Sequence, residues 1–204
     1  MTAAITPTSA ESDGTANRKL LGAAATLFRT TGYTAATTRQ LARRLGIRSA
    51  SLYYHIGKKE DLLYEISVVC LERINSAVET ALATTSDPEE RVRTLITTHC
   101  RIALADTDSH LTMLIELRSL SPRRRSHVIE LRDRYEKLVR HVVADAQANG
   151  ALRTDVRAKH LALALLNLVN WSIFWYRPRG GLSAEALGAL LAELFLGGAR
   201  TRAR

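Results

Sequence analysis

The chain has 204 residues, 46% of them apolar and 5% aromatic, and a formal net charge of +9. This length allows one or two domains with a sizeable core, and the composition suits an Ala/Leu-rich helical protein. Two cysteines, Cys70 and Cys100, exclude a disulfide framework and have no C-x-x-C spacing. We therefore expect reduced thiols and a cytoplasmic protein.

The N-terminal segment, residues 1–16, is rich in Thr, Ala and Ser and lacks the basic and apolar regions of a signal peptide. We expect it to be a disordered tail. The next segment predicts a first helix over residues 18–31, because its apolar residues recur at helical spacing and Gly32 can end it. Those apolar residues are Leu20, Leu21, Ala24, Leu27 and Phe28.

A short second helix is predicted to begin after Thr37. Thr37 and Gln40 have the spacing of a capping box, in which each side chain accepts a hydrogen bond from the backbone N–H of the other residue. Leu41 and Leu45 lie on one helical face. Gly46 supplies the left-handed residue that ends the helix.

A third short helix follows after a tight turn. Ile47 is expected to point into a core, Ser49 to cap the helix, and Leu52 and Ile56 to face inward before Gly57 ends it. Two short helices joined in this way are typical of a helix-turn-helix motif, which presents its second helix to the DNA major groove.

Charge supports a DNA-facing surface in the same region. Residues 17–59 contain nine Lys or Arg and no Asp or Glu. A solvated helical face would interleave both signs, often as pairs four residues apart. A folded module of 43 residues without an acid indicates a surface that faces phosphates.

The stretch TTRQLARRLG…SASLYYHIGKKEDLL resembles the TetR family of bacterial transcriptional regulators, roughly over residues 18–64. The family motif is T-x-x-x-(I/L)-A-x-x-x-G-(V/I)-S-x-x-x-(L/I)-Y-x-(H/Y)-F-x-x-K-x-x-L. The resemblance implies a three-helix DNA-binding domain at residues 17–62. Arg48, Ala50 and Ile56 stand where the family often has Ser, Gly and Phe, so the operator sequence is not carried over.

The resemblance also implies which side chains contact DNA. Residues near the turn are expected to read base edges, where arginine pairs well with guanine; they are Arg39, Arg48, Ser49, Ala50 and Ser51. A second set is expected to hold phosphates and fix the register on the duplex; it comprises Thr37, Thr38, Tyr53, Tyr54, His55 and Lys59.

A long helix is predicted over residues 58–82, beginning inside the DNA-binding module and ending well outside it, as a lever between two domains. Five more helices are predicted over residues 89–105, 109–120, 122–149, 156–176 and 184–199. No segment alternates apolar and polar residues as a half-buried β-strand does. The prediction is an all-α protein of about nine helices, with a ligand-binding and dimerisation domain at residues 63–204.

Segment 161–176 is the most apolar, but its 16 residues are too few for a membrane span and Asn167 and Asn170 interrupt it. A helix that is apolar nearly all round must be covered on both sides. The TetR family typically dimerises through its last two helices, so the resemblance implies a homodimer; the alternative is an intrachain core. The predicted interface residues are Leu187, Leu190, Leu191 and Leu194.

Trp171 and Trp175 lie one helical turn apart and are candidates for binding a small apolar ligand, with core packing as the alternative. The string NWSIFWYRPRGGLS resembles TetR-family regulators of lipid and steroid breakdown in actinobacteria. Some of those regulators respond to CoA thioesters. The resemblance therefore implies an acyl- or steroid-derived CoA thioester as the effector.

Three consecutive arginines, Arg123, Arg124 and Arg125, occupy the first turn of the helix predicted to begin at Pro122. Cations are unfavourable at this positive helix end. Either nearby acids such as Glu116 or Glu130 offset that cost, or the arginines bind an anion. The phosphates of CoA would suit such a site.

Catalytic and metal-binding patterns are absent from the sequence. It has no G-x-S-x-G, P-loop or H-E-x-x-H motif, and its six histidines lack metal-ligand spacing. We expect no catalytic residue, no metal and no cofactor. The favoured function is a ligand-responsive, sequence-specific repressor that binds operator DNA. The alternatives are a scaffold that binds nucleic acid without sequence preference and a small all-α enzyme.

Overall fold

The computed structural model describes residues 9–50, 52 and 57–201. Within these residues the chain forms eight α-helices and a short 3₁₀ helix at Leu117–Ser119, so the all-α prediction is confirmed. Leu152 and Arg200 form an isolated β-bridge. The α-helices are α1 (Ser9–Thr31), α2 (Thr38–Leu45), α3 (Lys59–Leu82), α4 (Pro88–Ala105), α5 (Thr107–Ile115), α6 (Pro122–Ala148), α7 (Ala158–Trp175) and α8 (Ala184–Ala199).

Helix α1 begins at Ser9, nine residues earlier than the predicted start at Arg18. Residues 9–16, which the sequence placed in a disordered tail, are helical here, and residues 1–8 lie outside the described part. Extending an existing helix adds one hydrogen bond for each residue fixed, so propagation is inexpensive. The last proline before α1 is Pro7, and helix ends are commonly found near proline.

Two further expectations need correction. Ile47 does not point into a core, because it is 40% exposed. The helix predicted over residues 109–120 is shorter and ends at Ile115. Leu120 has extended backbone angles and is buried, and Pro122 opens the next helix. Proline disfavours helical geometry in the residue before it, which explains why the chain breaks here.

The core forms two hydrophobic clusters. One contains the inward side chains of α1, α2 and the first half of α3, and it also includes Met113, Leu120, Val128 and Leu131 from the later helices. The other lies among α3, α4, α6, α7 and α8. The first cluster therefore crosses the expected boundary at residues 62 and 63, and the DNA-binding module packs directly on α5 and α6.

Helices α4 and α8 share the most extensive helix contact in the described part of the chain. Gly188 permits this approach: a Cβ added there would lie 3.2 Å from the Thr97 Cα and 3.3 Å from the Cys100 Cβ. Helix α8 is therefore held against α4 of the same chain. Among the residues that the structure describes, no helix has the length and apolar character needed to cross a membrane.

Candidate DNA-binding surface and effector cavity

The described part of the helix-turn-helix confirms the predicted start and end of α2. Thr37 Oγ1 accepts a hydrogen bond from the Gln40 backbone N–H (3.2 Å), and Gln40 Oε1 accepts one from the Thr37 N–H (2.8 Å), which confirms the capping box. Gly46 ends α2 with a φ of 69°. After the turn, the Leu52 N–H donates to the Arg48 carbonyl oxygen (3.2 Å), as in the first turn of a helix.

The predicted DNA contacts that the structure describes lie at or near the surface. The exposed residues are Thr37, Arg39, Arg48 and Ala50, and the half-buried ones are Thr38, Ser49 and Lys59. The remaining predicted contacts lie outside the described residues; they are Ser51, Tyr53, Tyr54 and His55. Arg43 and Arg44 on α2 are exposed as well, so the cations of α2 face solvent.

Lys59 does not fit its predicted role as a phosphate contact. Its Nζ donates hydrogen bonds to the carbonyl oxygens of Tyr33 (2.7 Å), Thr34 (3.2 Å) and Ala36 (3.0 Å), and it lies 4.4 Å from the centre of the Tyr33 ring. An ammonium group has three protons, and all three are used. Lys59 therefore ties the loop between α1 and α2 to the first turn of α3.

A cavity of about 380 Å³ lies among α3, α4, α5, α6 and α7. Its apolar wall includes Leu71, Ile74, Met113, Leu114, Ile129 and Leu166. A polar wall is formed by the buried His99, His110 and Tyr135 together with the half-buried Asn170. Charged side chains from α6 complete the more exposed side; they are Arg132, Asp133 and Glu136.

Asn170 joins the two buried histidines. Its Oδ1 accepts hydrogen bonds from Nε2 of His99 (3.2 Å) and from Nε2 of His110 (3.1 Å). Because this oxygen can only accept, both Nε2 atoms carry a proton. Nδ1 of His99 then accepts from the Tyr135 hydroxyl (2.8 Å), and Nδ1 of His110 lies 3.5 Å from the Cys70 Sγ. The network connects all five helices around the cavity.

These groups are neutral at physiological pH. Burial lowers the pKa of His99 to about 3, with a smaller effect from His110, and burial also lowers the pKa of His110. Burial raises the pKa of the Cys70 thiol to about 12 and raises the pKa of the Tyr135 hydroxyl. The buried wall of the cavity therefore presents hydrogen-bonding groups without a charge.

The spacing of these histidines predicted no metal site and did not connect them with Asn170. The signal was present in the helical spacing. Asn170 interrupts the most apolar helix, and His99 follows the buried Leu95 by one turn on the same face of α4. A metal site is not formed here: in the described ranges no three His, Cys, Asp or Glu residues are grouped to hold a metal ion.

Trp171 and Trp175 are 66% and 50% exposed, and the Trp171 ring packs on Phe174 with 4.6 Å between centres. They line neither the cavity nor a second one of about 460 Å³ among α1, α3, α4 and α5. Asn167 lines the first cavity, and Trp171 follows it by one turn. The two indoles therefore continue that face of α7 beyond the cavity.

The three arginines of α6 also lie outside both cavities. Arg124 donates to Asp61, and its Nη1 lies 3.7 Å from Oε1 of Glu60. The same Glu60 oxygen accepts from the Ser121 backbone N–H (2.8 Å). The acids that offset the charge of Arg124 are thus Glu60 and Asp61, from a distant helix, rather than Glu116 or Glu130.

The predicted dimer leucines divide into two pairs. Leu187 and Leu191 are buried within the chain, at 0% and 4% exposure, so the intrachain alternative is correct for them. Leu190 and Leu194 are 44% and 60% exposed. All four leucines lie within roughly 100° around the axis of α8, so the exposed pair borders the buried pair on the same side of the helix. Helix α7, which contacts α8, also exposes large apolar side chains; the apolar surface of these two helices is defined here as Trp171, Phe174, Trp175, Leu190 and Leu194.

Two family models match the chain. Residues 20–66 match the model described as bacterial regulatory proteins of the tetR family, and residues 85–199 match the tetracyclin repressor-like C-terminal domain. The two matched ranges agree with the helix-turn-helix and with the helices that surround the cavity.

Relatives and solved structures agree with these matches. The HTH-type transcriptional repressor KstR2 of Mycolicibacterium smegmatis is 30% identical over 185 residues, covering 88% of each chain. The TetR regulator PfmR of Thermus thermophilus has a TM-score of 0.81 at 37% identity, covering 88% of this chain and 97% of its own. The ketosteroid regulator KstR2 of Mycobacterium tuberculosis has a TM-score of 0.86 at 26% identity, covering 92% and 96%. The chain belongs to the TetR family of bacterial transcriptional regulators.

Proposed function

We propose that the protein is a homodimeric repressor that binds double-stranded operator DNA through residues 17–62 and releases it when an apolar effector occupies the cavity. Helix α3 is the observation on which this proposal rests. It begins directly after the helix-turn-helix and supplies Leu71 and Ile74 to the cavity wall. An effector that favours another position of α3 lowers the affinity of the protein for DNA. By linkage, bound DNA lowers the affinity for the effector by the same free energy.

The packing of the DNA-binding module supports this coupling. Met113 and Leu114 of α5 line the cavity and also pack in the hydrophobic cluster of α1 and α2. Arg29 of α1 forms an ion pair with Asp108 of α5. A shift of α5 beside the cavity would therefore move α1 and α2, because tightly packed interiors change between discrete arrangements rather than deform continuously. These helices position the DNA-binding module.

The apolar surface of α7 and α8 supports a homodimer. An exposed patch that includes two tryptophans and two leucines is typical of a protein interface. A two-fold dimer would place two reading heads in successive major grooves, roughly 34–36 Å apart. A change of a few ångströms in that separation is sufficient to weaken binding to both half-sites at once.

The relatives support an effector related to steroids or acyl chains. The KstR2 structure is described as that of a ketosteroid regulator, and the KstR2 repressors are similar to this chain over most of its length. We propose a CoA thioester whose apolar part fills the cavity, and we assign Trp171 and Trp175 to the dimer surface rather than to the effector. Arg123 and Arg125 form no ion pair among the described residues and are the candidate phosphate contacts.

The test has two stages. Genomic fragments selected on the purified protein are expected to share one palindromic operator, whereas a nonspecific scaffold would enrich none at physiological salt. The protein–operator complex is then titrated with matched free acids and CoA thioesters, and release by the thioester is expected. The same mixtures are analysed for turnover, which an enzyme would show. If neither form releases DNA across a range of chain lengths and ring systems, the CoA thioester is wrong.

A further inference from the structure

We infer that Asn170 selects effectors that carry an uncharged carbonyl oxygen, which it binds through its side-chain N–H groups. The inference rests on the proposed function, since it requires that the effector occupy the cavity. It identifies a residue that determines specificity and the chemical group that this residue recognises.

The hydrogen bonds of the polar wall determine what it can offer to a ligand. Both histidine Nε2–H groups are donated to Asn170 Oδ1, and the Tyr135 proton is donated to His99. The Asn170 Nδ2 carries two more protons. This nitrogen makes no hydrogen bond within the described residues, and Asn170 lines the cavity. The donors that remain available on this wall are therefore those of Asn170.

The Asn170 amide directs its oxygen at the two histidines, so its nitrogen is the end left without a partner in the network. A reversed amide would direct N–H groups at two protonated Nε2 atoms and lose both hydrogen bonds. In the observed orientation the Tyr135 hydroxyl donates to His99 Nδ1, so the Tyr135 proton and both Nε2 protons have acceptors within the network. The network thus holds Nδ2 as a donor.

An apolar ligand that fills the cavity would displace water from Nδ2 and leave its protons unpaired. An unpaired buried donor costs about 1–3 kcal/mol, which corresponds to a loss of affinity between roughly fivefold and roughly a hundredfold. A carbonyl oxygen accepts the bond and avoids this loss. A carboxylate is disfavoured at this wall because the buried histidines are neutral and supply no positive charge. Arg132 lies on the more exposed side, beside Asp133 and Glu136.

A ring ketone and a thioester carbonyl share this chemistry, so the test uses a probe pair for each. The first pair is 2-decalone and its 2-methylidene analogue, in which CH₂ replaces the carbonyl oxygen. The second pair is S-methyl hexanethioate and hexyl methyl sulfide. Titration of the full-length wild-type protein by calorimetry is expected to give about tenfold tighter binding of at least one carbonyl compound than of its partner. The pair that shows the preference identifies the source of the carbonyl.

The variant Asn170→Asp keeps the oxygen that both histidines need and removes the N–H donors. We expect it to lose the preference for the carbonyl compound over its matched partner, whatever its absolute affinity for either compound. Asn167→Asp is the control, because it introduces the same charge on the cavity-lining face of α7 and leaves Asn170 intact. That variant is expected to keep the wild-type preference.

A readout on the wild-type protein makes the test independent of how well a variant folds. The side-chain ¹⁵N–H₂ resonances of Asn170 are expected to shift on addition of 2-decalone or the thioester, and to shift far less with the matched compound. Equal affinities within both pairs, or an Asn170→Asp protein that keeps the preference, would overturn this inference and leave the effector site in place. Failure of all four probes to bind would overturn both the inference and the cavity as the effector site.

Discussion

Arg124, in the first turn of α6, donates a hydrogen bond to Asp61, in the first turn of α3. Asp61 also accepts a hydrogen bond from the Lys58 backbone N–H, and this bond, followed by the one from Arg124, lowers the pKa of the Asp61 carboxyl group. One carboxylate therefore caps α3 and fixes α6 where the helix-turn-helix ends. The guanidinium group also lies 5.2 Å from the centre of the Tyr64 ring.

Removing this contact is expected to weaken operator binding. Arg124→Ala deletes a partly exposed ion pair, and such pairs contribute about 0.5–1 kcal/mol. We expect a two- to fivefold loss of operator affinity, measured by fluorescence anisotropy, because the start of α3 is held less firmly. Asp61→Asn combined with Arg124→Ala should cost less than the two separate losses together. Arg123→Ala is the matched control, and an equal loss there would show that general charge is responsible.

Lys59→Met is expected to destabilise the DNA-binding module rather than to remove a phosphate contact. The substitution removes the hydrogen bonds that the Lys59 ammonium group donates to three backbone carbonyl oxygens. Hydrogen bonds to a charged group contribute about 1.5–3 kcal/mol, and urea unfolding should show a loss of that order. Lys58→Met changes the adjacent, exposed lysine and should leave stability nearly unchanged. If Lys59→Met unfolds at the wild-type urea concentration and its DNA binding depends less on salt, Lys59 contacts a phosphate as the sequence predicted.

Two leucines of α8 should respond differently to a charge. Leu194→Arg is expected to give a folded monomer in sedimentation, because Leu194 is 60% exposed in the single chain. Its operator affinity should fall sharply, because the DNA-binding module of a monomer binds one half-site alone. Leu187→Arg should instead unfold the protein, because Leu187 is fully buried and an unpaired buried charge costs several kcal/mol. A wild-type protein that is monomeric at micromolar concentration would contradict the dimer.

Stability is expected to fall in mild acid because of His99. Its pKa is lowered to about 3 in the folded protein from an ordinary value of 6.5. The unfolded chain therefore takes up a proton as the pH falls below 6.5, while the folded protein does not. Between pH 7 and pH 5 this difference amounts to about 2 kcal/mol.

Urea unfolding at the two pH values, at fixed protein concentration, measures this effect. The His99→Phe protein should lose a smaller amount of stability between pH 7 and pH 5, whatever its stability at pH 7. His141→Gln, which changes an exposed histidine, should keep the wild-type difference. An unchanged pH dependence in His99→Phe would mean that His99 is protonated in the folded protein.

Local patterns predicted the DNA-binding module well. The capping box of Thr37 and Gln40 and the left-handed Gly46 depend on residues close in sequence, and both were predictable. The role of Lys59 was not, because its partners are backbone carbonyls of another element. The same limit applies to Arg124, whose acidic partners lie more than sixty residues earlier in the chain.

The cavity among α3, α4, α5, α6 and α7 also depends on contacts between residues far apart in the sequence, which local patterns do not predict. Asn170 is visible in the sequence as a polar residue within an apolar helix, but its two histidine partners come from α4 and α5. The spacing of Trp171 and Trp175 showed that they share a face, and it could not show that this face is exposed. Which side of an apolar helix meets its own chain depends on packing between helices, which a single sequence does not contain.

The close fit of Gly188 against Thr97 has a consequence for how regulators of this kind diversify. Under the proposed dimer, α4 and the dimer surface of α8 form one unit, so the distance between half-sites depends on that unit. Under the proposed function, operator sequence depends on residues around the turn after α2, and effector choice depends on the cavity wall. Because different residues control these three properties, cavity substitutions can retune the protein into a sensor for a new metabolite while its promoter stays the same.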